Sequence, residues 1–225
     1  MPTDTHTQLL DAAEALFSER GYKAVGIREI VDRAAANISA IKYHFGSKQG
    51  LYLAVIRRAM QRPEARAAWD AFDPPPESSA DAAVAIAIFQ RLFLHHCVRL
   101  ERDHSPSLIC REAAEPSEAL DEILQLYIRP HMAALTHAVG ILQPSADDSQ
   151  RVALGNAVLS LVLHYKTFYA FHARLGMGEQ PSDEVIDAIA EELSSFSLRG
   201  LGCDEAAISG ALKAVRQHVP LGSDS

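Results

Sequence analysis

A chain of 225 residues can bury a substantial core, and its 48% hydrophobic and 22% charged residues exclude a disordered chain or a fibrous repeat. The formal net charge of −8 argues, as an average, against a polyanionic partner. The charges are uneven, however: residues 1–62 hold nine Lys and Arg against six Asp and Glu, which leaves 12 bases and 23 acids for the remainder. A basic head on an acidic body is typical of a protein that binds DNA through one end only.

The three cysteines, Cys97, Cys110 and Cys203, are odd in number and widely spaced, which argues against a disulfide framework and a zinc knuckle. The N-terminus has no basic segment followed by an apolar run, so we expect no secretory signal and a cytoplasmic protein. The most apolar stretch, residues 152–171, contains Lys166, which would be costly inside a membrane. We therefore expect a buried helix of a bundle or a dimer interface there, and no membrane partner.

Hydrophobic residues recur at helical spacing almost everywhere, and no alternating β-branched run indicates a sheet. The sequence therefore predicts an all-α fold. The first helix covers about residues 6–20 and ends at Gly21. A short second helix begins near Ile27, and a very short third helix follows Asn37, whose side-chain oxygen can cap free backbone amides.

A longer fourth helix, about residues 48–71, is expected to connect two domains, because the proline-rich stretch 73–79 that follows cannot continue a helix. The pattern predicts a DNA-binding domain over residues 1–50 and a second domain over residues 72–225. Further helices are predicted near 80–102, 106–114, 117–142, 147–175 and 182–199. The last segment, near 203–218, is either an extra helix or a loosely ordered tail.

Three short helices in the first 46 residues, with a tight turn between the second and third, match the helix-turn-helix plan, in which the third helix enters the major groove. Ile41 and Phe45 lie four residues apart and are expected to face inward, with Ile38 leaning toward the buried side. The outward positions are then Ser39, Ala40 and Tyr43, with Lys42 on the flank.

The same segment carries a signature spread between residues 21 and 51: Gly21-Tyr22-Lys23-Ala24, Ile27-Arg28-Glu29-Ile30, Ala34, Asn37, Tyr43-His44-Phe45-Gly46-Ser47-Lys48 and Gly50-Leu51. In these residues the chain resembles the TetR/AcrR family of regulators. Weaker similarity in Arg111-Glu112, Glu115-Pro116 and Ile128-Arg129-Pro130-His131 resembles the branch with a CerR-type C-terminal domain.

The resemblance implies a sequence-specific transcription regulator, a homodimeric repressor that a small-molecule effector releases from a palindromic double-stranded operator. It implies a C-terminal helical bundle for ligand binding and dimerisation, with no catalytic residue, metal or cofactor. The operator sequence, the effector and the choice between repression and activation stay open. The DNA-binding residues expected are Arg28, Asn37, Ile38, Ser39, Ala40, Lys42, Tyr43, His44 and Lys48.

Chemistry divides these contacts into phosphate contacts and base contacts. The Lys48 ammonium, at the positive end of helix four, and the Tyr43 hydroxyl would bind phosphates. Such contacts set the register of the protein on the DNA without specifying its sequence. Lys42 and Ser39 are the expected base readers, with Lys42 favouring guanine, and Ala40 could touch a thymine methyl.

Two positions depart from the family pattern. Gly26 stands where a hydroxyl residue commonly caps helix two and touches phosphate, so that one phosphate contact is expected to be missing or moved. Ala35 stands where the turn commonly has glycine, and an alanine at positive φ would cost roughly 1 kcal/mol. Either the turn differs or the structure absorbs this strain.

The effector pocket is expected among aromatic and polar residues of the second domain, although aromatic residues in helices are more often plain core. These residues are Phe89, Phe93, Arg111, Tyr127, His131, His164 and Phe168. By resemblance, two apolar stripes would pair with their copies in a dimer, unless they pack within the chain: Val158, Leu161, Val162, Tyr165 and Tyr169, then Val185, Ile189, Leu193 and Phe196.

Two alternatives remain at this point. Eight of the ten histidines follow residue 62, but no HxxxH or HExxH spacing supports a metal site within one helix, and no placed nucleophile or base is convincing. A small-molecule carrier or an enzyme with a helical head is the main alternative, and a module that binds another protein through its acidic body is the other.

Overall fold

The computed structural model describes residues 4–98 and 105–218, and these residues form helices with no β-strand among them. The predicted all-α fold is confirmed. In chain order the helices are α1 (Thr5–Ala24), α2 (Ile27–Arg33), α3 (Ile38–Phe45), α4 (Lys48–Met60), α5 (Pro63–Asp70), α6 (Ser79–Val98), α7 (Ser105–Ala114), α8 (Leu120–Ile123), α9 (Arg129–Leu142), α10 (Asp148–Thr167), α11 (Tyr169–His172), α12 (Asp183–Gly200) and α13 (Glu205–His218). Two π-helical turns, Leu124–Ile128 and Ala173–Met177, follow α8 and α11.

The helices group into two compact units. The N-terminal unit contains Met1–Arg62 together with Glu101–Ile128, and the C-terminal unit contains Pro63–Leu100 together with Arg129–Ser225. The predicted functional boundaries at residues 50 and 72 stay a prediction. The compact units nevertheless place α7 and α8 with the first four helices, a grouping that the sequence did not predict.

A single apolar core holds the N-terminal unit together. Its fully buried side chains include Phe17 of α1 and Tyr52 of α4, whose ring centroids lie 5.0 Å apart. Leu108 and Ile123 close the same core from the later segment. Each large apolar side chain removed from water in this way contributes about 1.5–3 kcal/mol, so the later segment is an integral part of the unit.

A buried carboxylate joins α1 to α4. Glu14 is 3% exposed, and its two oxygens accept hydrogen bonds from Arg58 at 2.5 Å and from Arg62 at 2.5 Å. Arg58 also binds Asp11 at 2.6 Å. Because a buried charge is tolerated only when it is paired, Arg58 of α4 and Arg62, just after it, hold the end of α4 against α1.

The fourth helix is shorter than the sequence predicted. It ends at Met60, and a separate helix begins at Pro63. The proline has no amide hydrogen and disfavours helical geometry at Arg62, so the helix cannot continue through it. The proline-rich stretch is non-helical over residues 71–78, as predicted, but it joins α5 to α6 within the C-terminal unit and does not divide the two units.

Helix α6 is the centre of the C-terminal unit. Its side chains Ile86, Phe89 and Leu94 are fully buried, and the buried amide of Gln90 donates to the Ser197 hydroxyl at 2.9 Å. This helix alone, in the described part of the chain, has the length and apolar composition of a membrane span. With 67% of that window buried inside the structure, it is weak support for one.

Three predicted helices differ from the structure in detail. The predicted helix at 117–142 is interrupted by a π-helical turn, and that at 147–175 breaks after Thr167. The end of the predicted helix at 80–102 lies outside the described residues. Helix α10 buries Gly155, Val158 and Val162 but leaves Val152 47% exposed, so it is covered by its own chain along one side only.

The last segment is an ordered helix, and the alternative of a loose tail is wrong for Glu205–His218. Ile208, Ala211 and Val215 are buried at the spacing of one helical face, and α13 packs on α6 and α12. The residues after 218 lie outside the described part of the chain.

Candidate nucleic-acid interface

The turn between α2 and α3 contains the left-handed alanine that the sequence suggested. Ala35 has φ 50°, the one positive-φ residue other than glycine that the structure shows within residues 4–98 and 105–218. The Ala36 amide donates to the Val31 carbonyl at 2.9 Å, which closes the end of α2. The turn therefore keeps the geometry expected for glycine, and the alanine carries strain of about 1 kcal/mol.

The start of α3 is capped as predicted. The Asn37 side-chain oxygen accepts hydrogen bonds from the Ser39 amide and from the Ser39 hydroxyl, both at 3.0 Å. The Ser39 hydroxyl therefore donates its only proton within the protein, and its lone pairs remain available to accept a hydrogen bond. Both side chains are exposed, but Ser39 can act toward DNA only as an acceptor in this arrangement.

Helix α3 buries one narrow face. Ile41 is 2% exposed, whereas Tyr43 is 85% exposed and Lys42 is exposed beside it. The expectation for Ile38 is wrong: it is 52% exposed, because a first-turn side chain points back beyond the helix start and away from the core. Ala40 is half-buried and packs against the core rather than pointing fully outward.

Two histidines lie at the C-terminal end of α3. The ring of His6, in the first turn of α1, stacks on Phe45 with centroids 4.8 Å apart and lies 5.6 Å from the His44 ring. His44 is half-buried. Sequence reasoning missed His6, although it continues the spacing of the buried stripe that Leu9 begins.

A shallow, open depression of about 590 Å³ lies along this helix. It is lined by Thr5, Ala35, Ala36, Asn37, Ser39, Ala40, Tyr43 and His44. Five of the expected DNA-binding residues, Asn37, Ser39, Ala40, Tyr43 and His44, therefore share one surface.

Helix α4 begins with a capped first turn. The Ser47 hydroxyl accepts from the Gly50 amide at 3.0 Å, and a Cβ at Gly50 would overlap the Phe45 carbonyl oxygen. Lys48 is half-buried, and its ammonium lies 4.2 Å from the centroid of the Tyr22 ring. Burial lowers the pKa of Lys48, with Glu118 acting in the opposite direction.

The start of α2 is capped by a carboxylate instead of a hydroxyl. The Gly26 amide donates to Glu29 at 3.2 Å, and Glu29 is also bound by Arg20. The hydrogen bond from Arg20, and then that from the Gly26 amide, lower the pKa of Glu29. Arg28 is exposed on the same helix. Capping is thus preserved, while Gly26 has no side chain to offer a phosphate.

The expected effector residues do not form one group, and three of them surround Trp69 on α5. The His131 ring stacks on Trp69 with centroids 4.6 Å apart, and Phe89 and Phe93 lie at 4.6 and 5.9 Å. Phe89 is fully buried, as core. Sequence reasoning missed Trp69, although the only tryptophan of the chain, placed just before the linker, was available as a signal.

Two other expected effector residues belong to the N-terminal unit. Arg111 donates from Nε to the Ser18 carbonyl at 2.7 Å, and Arg57 donates to the Tyr127 hydroxyl at 3.2 Å. Both hydrogen bonds join the later segment to the first four helices. The structure thus gives Arg111 and Tyr127 structural partners far in sequence.

The last two expected effector residues, His164 and Phe168, lie at the end of α10. The rings of His164 and Phe168 are 4.7 Å apart, and His172 lies 5.0 Å from His164. Burial lowers the pKa of His172, and His164 lowers it further. Phe168 is 45% exposed, so this group sits at the surface.

A second depression, of about 460 Å³, lies among α6, α12 and α13 and contains none of the expected effector residues. Arg91 and Asp187 in its wall form a bidentate pair at 2.6 and 2.8 Å, and Arg216 binds Glu191 at 2.6 Å. Over the described ranges, no group of three or more His, Cys, Asp or Glu side chains could hold a metal ion.

The predicted dimer stripes are only partly available to a partner. Val158 and Val162 are 3% and 0% exposed and pack within the chain, so the expectation that they pair with a copy is wrong. On α12, Val185 is 38% and Phe196 is 66% exposed, with Ile189 half-buried between them. An apolar face of α12 therefore reaches solvent.

Two family models match this chain. Residues 9–55 match the model described as bacterial regulatory proteins, tetR family. Residues 82–201 match the C-terminal domain of the HTH-type transcriptional dual regulator CecR. The C-terminal type expected above as CerR is thus the CecR type.

Two relatives match this chain over very different lengths. The CecR regulator of Shigella flexneri is 30% identical over 169 residues, 71% of this chain and 74% of that protein. The transcriptional activator FasR of Mycolicibacterium smegmatis is 51% identical over 51 residues, and this match spans only 23% of each chain.

Solved structures share the fold at low identity. AibR, in complex with isovaleryl coenzyme A and operator DNA, superposes with a TM-score of 0.64 at 15% identity. The superposition covers 86% of this chain and 97% of that one. At this identity the likeness concerns the fold alone.

Proposed function

Since the chain belongs to the TetR family of bacterial regulatory proteins, with a C-terminal domain of the CecR type, we propose that it acts as a homodimer that represses transcription from a palindromic operator. The chain is a DNA-binding transcription regulator. A small-molecule effector that binds better to a second arrangement of the dimer lowers its affinity for the operator. The protein works in the cytoplasm and performs no catalysis.

The exposed face of α3 is the observation that carries this proposal. The buried Ile41 anchors this helix, whereas Tyr43 is 85% exposed and the adjacent Lys42 is also exposed. These two side chains therefore bury little of their surface against their own chain. Such a face gains contacts only from a partner, and a helix of this kind fits the major groove. Lys42 reads guanine, and Tyr43 donates its hydroxyl to a phosphate.

The remaining contacts surround these two. Ser39 accepts from a base, Ala40 and the exposed Ile38 pack against base or sugar carbons, and Asn37 and His44 border the depression along α3. Lys48 and Arg28 bind phosphates on the flanks. The position and the chemistry of each side chain support these proposed DNA contacts.

Dimerisation is supported by the exposed stripe of α12. Val185 and Phe196, together with half-buried Ile189, present apolar surface that a second copy can cover. In such a dimer the two α3 helices must lie about 34–36 Å apart to enter successive major grooves. A change of that spacing is sufficient to release DNA.

The effector is proposed to bind beside Trp69, where aromatic rings and His131 gather. Phe93, which is half-buried, supplies the edge of this cluster. The chemistry favours an apolar or planar molecule with a polar group for the histidine. Because the chain has a single tryptophan, its fluorescence reports any change at this cluster.

The proposal is tested by fluorescence anisotropy of the purified protein with the DNA that flanks its own coding region, across a salt series. We expect a strong preference for one flanking duplex over an unrelated duplex, with a steep salt dependence. Equal and weak binding to both duplexes would contradict the regulator and favour a carrier of small molecules or a module that binds another protein.

A further inference from the structure

The proposed phosphate contact Lys48 does not stand alone. Its ammonium lies over the face of Tyr22 at 4.2 Å from the ring centroid, and the Tyr22 hydroxyl donates to Glu118 at 2.5 Å. All three residues belong to the N-terminal unit. A lysine, an aromatic ring and a carboxylate thus form a continuous chain of contacts, which we call the Lys48 relay.

The far end of the Lys48 relay is fixed to the turn between α7 and α8. Glu112 is 3% exposed and accepts from the Ser117 amide and the Ser117 hydroxyl, both at 2.9 Å. Its other oxygen accepts from Tyr52 of α4 at 2.9 Å. The residue next to Ser117 is Glu118, so the carboxylate that accepts from Tyr22 comes from a turn that is hydrogen-bonded to the buried Glu112.

The near end of the relay is fixed as well. Gln49 donates to the Glu118 carbonyl at 3.5 Å, and Ser47 caps the first turn of α4. The backbone of Lys48 is therefore constrained, but its long side chain can still sample many rotamers unless another group holds it. The face of Tyr22 is the surface that holds it, since a cation is attracted to the negative face of an aromatic ring.

We propose that Glu118, acting through Tyr22, is a positioning residue that holds the Lys48 ammonium ready for its DNA phosphate. The inference rests on the proposed function, because it needs Lys48 to contact DNA. An ammonium that is already ordered loses less side-chain entropy on binding a phosphate than one that samples all rotamers. Breaking the relay should then weaken DNA binding only as long as Lys48 is present.

A double-mutant cycle in DNA binding tests this. Tyr22→Phe keeps the ring and all charges but removes the bond to Glu118, and Lys48→Met removes the ammonium. We expect Tyr22→Phe to weaken binding to the preferred flanking duplex about fivefold, and the same change in the Lys48→Met protein to matter less than about twofold. Lys48→Met should also lower the slope of log affinity against log salt by about one.

Two further variants separate positioning from general stability. Tyr127→Phe removes a hydroxyl that accepts from Arg57 in the same unit, and its effect should be the same with or without Lys48. Glu118→Gln changes an exposed side chain, so it should leave folding intact and should also lose its effect in the Lys48→Met protein. Asp121→Asn, an exposed acid nearby, measures the effect of the lost charge alone.

The outcomes are distinct. Additive effects of Tyr22→Phe and Lys48→Met in a protein that still prefers one duplex would overturn the relay and leave the regulator in place. Absence of any sequence preference in the unchanged protein would overturn both. A coupled effect for Tyr22→Phe and Glu118→Gln, with additive behaviour of Tyr127→Phe and Asp121→Asn, would support the relay.

Discussion

Helices α3 and α12 both leave a large side chain in solvent, but their surroundings differ. Tyr43, 85% exposed, stands among polar and small residues on α3. Phe196, 66% exposed, stands on α12 in a stripe that also contains Val185 and Ile189. The first side chain has a hydroxyl to donate, and the second has none.

This difference separates two kinds of partner. A polar exposed face beside a lysine gains from a charged, hydrogen-bonding surface such as DNA, and its binding weakens with salt. An apolar exposed stripe gains from the removal of water, which salt screens little. The chemistry of an exposed side chain and its neighbours, more than its exposure, therefore indicates what covers it.

The largest expected effect is on assembly. Phe196→Glu should raise the dimer dissociation constant by at least about 100-fold, because it places a charge at the most exposed large side chain of the apolar stripe on α12. Sedimentation velocity at micromolar concentration measures the species directly. Lys213→Glu, which adds the same side chain at an exposed site on α13, should leave the dimer intact. An unchanged dimer in the Phe196→Glu protein would disprove this use of α12.

The next effect is on sequence preference. Lys42→Ala should reduce the preference for the best flanking duplex over an unrelated duplex by about 10- to 100-fold, since one base contact is lost. Lys23→Ala, an exposed lysine at the end of α1, serves as the control and should keep the preference. Equal loss on both duplexes would make Lys42 a phosphate contact instead.

A smaller effect is expected for the hydroxyl of Tyr43. Tyr43→Phe should weaken binding about three- to tenfold on both duplexes alike, because a phosphate contact carries no sequence information. Tyr169→Phe removes a hydroxyl that donates to the Glu179 carbonyl and should not change DNA affinity. If Tyr43→Phe altered only the preferred duplex, the hydroxyl would be a base contact.

The smallest effect concerns the turn before α3. Ala35→Gly should raise the free energy of unfolding by up to about 1 kcal/mol, since glycine adopts positive φ without strain. Ala133→Gly, at an exposed position within α9, should lower it by about 1 kcal/mol. Urea denaturation of both variants decides this, and a loss of stability in Ala35→Gly would show that the turn is relaxed.

Local signals predicted the head of the molecule well. The starts of α2 and α3, the loss of helical geometry at Gly21 and the cap at Asn37 follow from rules that act within a few residues. The first helix was predicted to end at Gly21, whereas α1 resumes after this residue and ends at Ala24. Pro63 is an equally local signal, and it explains why the fourth helix ends at Met60 and is shorter than apolar periodicity predicts.

Contacts far apart in sequence could not be predicted in this way. Periodicity alone does not tell that Arg111 reaches the Ser18 carbonyl, that Val162 packs inside its own chain or that Tyr22 meets Glu118. The seven expected effector residues were chosen because they are aromatic or polar, but the structure places them in three separate groups. Which side chains converge is decided by tertiary packing, for which one sequence carries no direct signal.

Because residues 101–128 belong to the N-terminal unit, they limit where the DNA-binding unit can be cut out and joined to another protein. A fragment cut at Arg62 would lose Leu108, Ala119 and Ile123 from its core and would leave Tyr52 without Glu112. Hybrid regulators that borrow this DNA-binding head therefore need three junctions after α4, near residues 62, 101 and 128. A hybrid joined once, after Arg62, would lack residues 101–128 and would expose the apolar side chains that this segment covers.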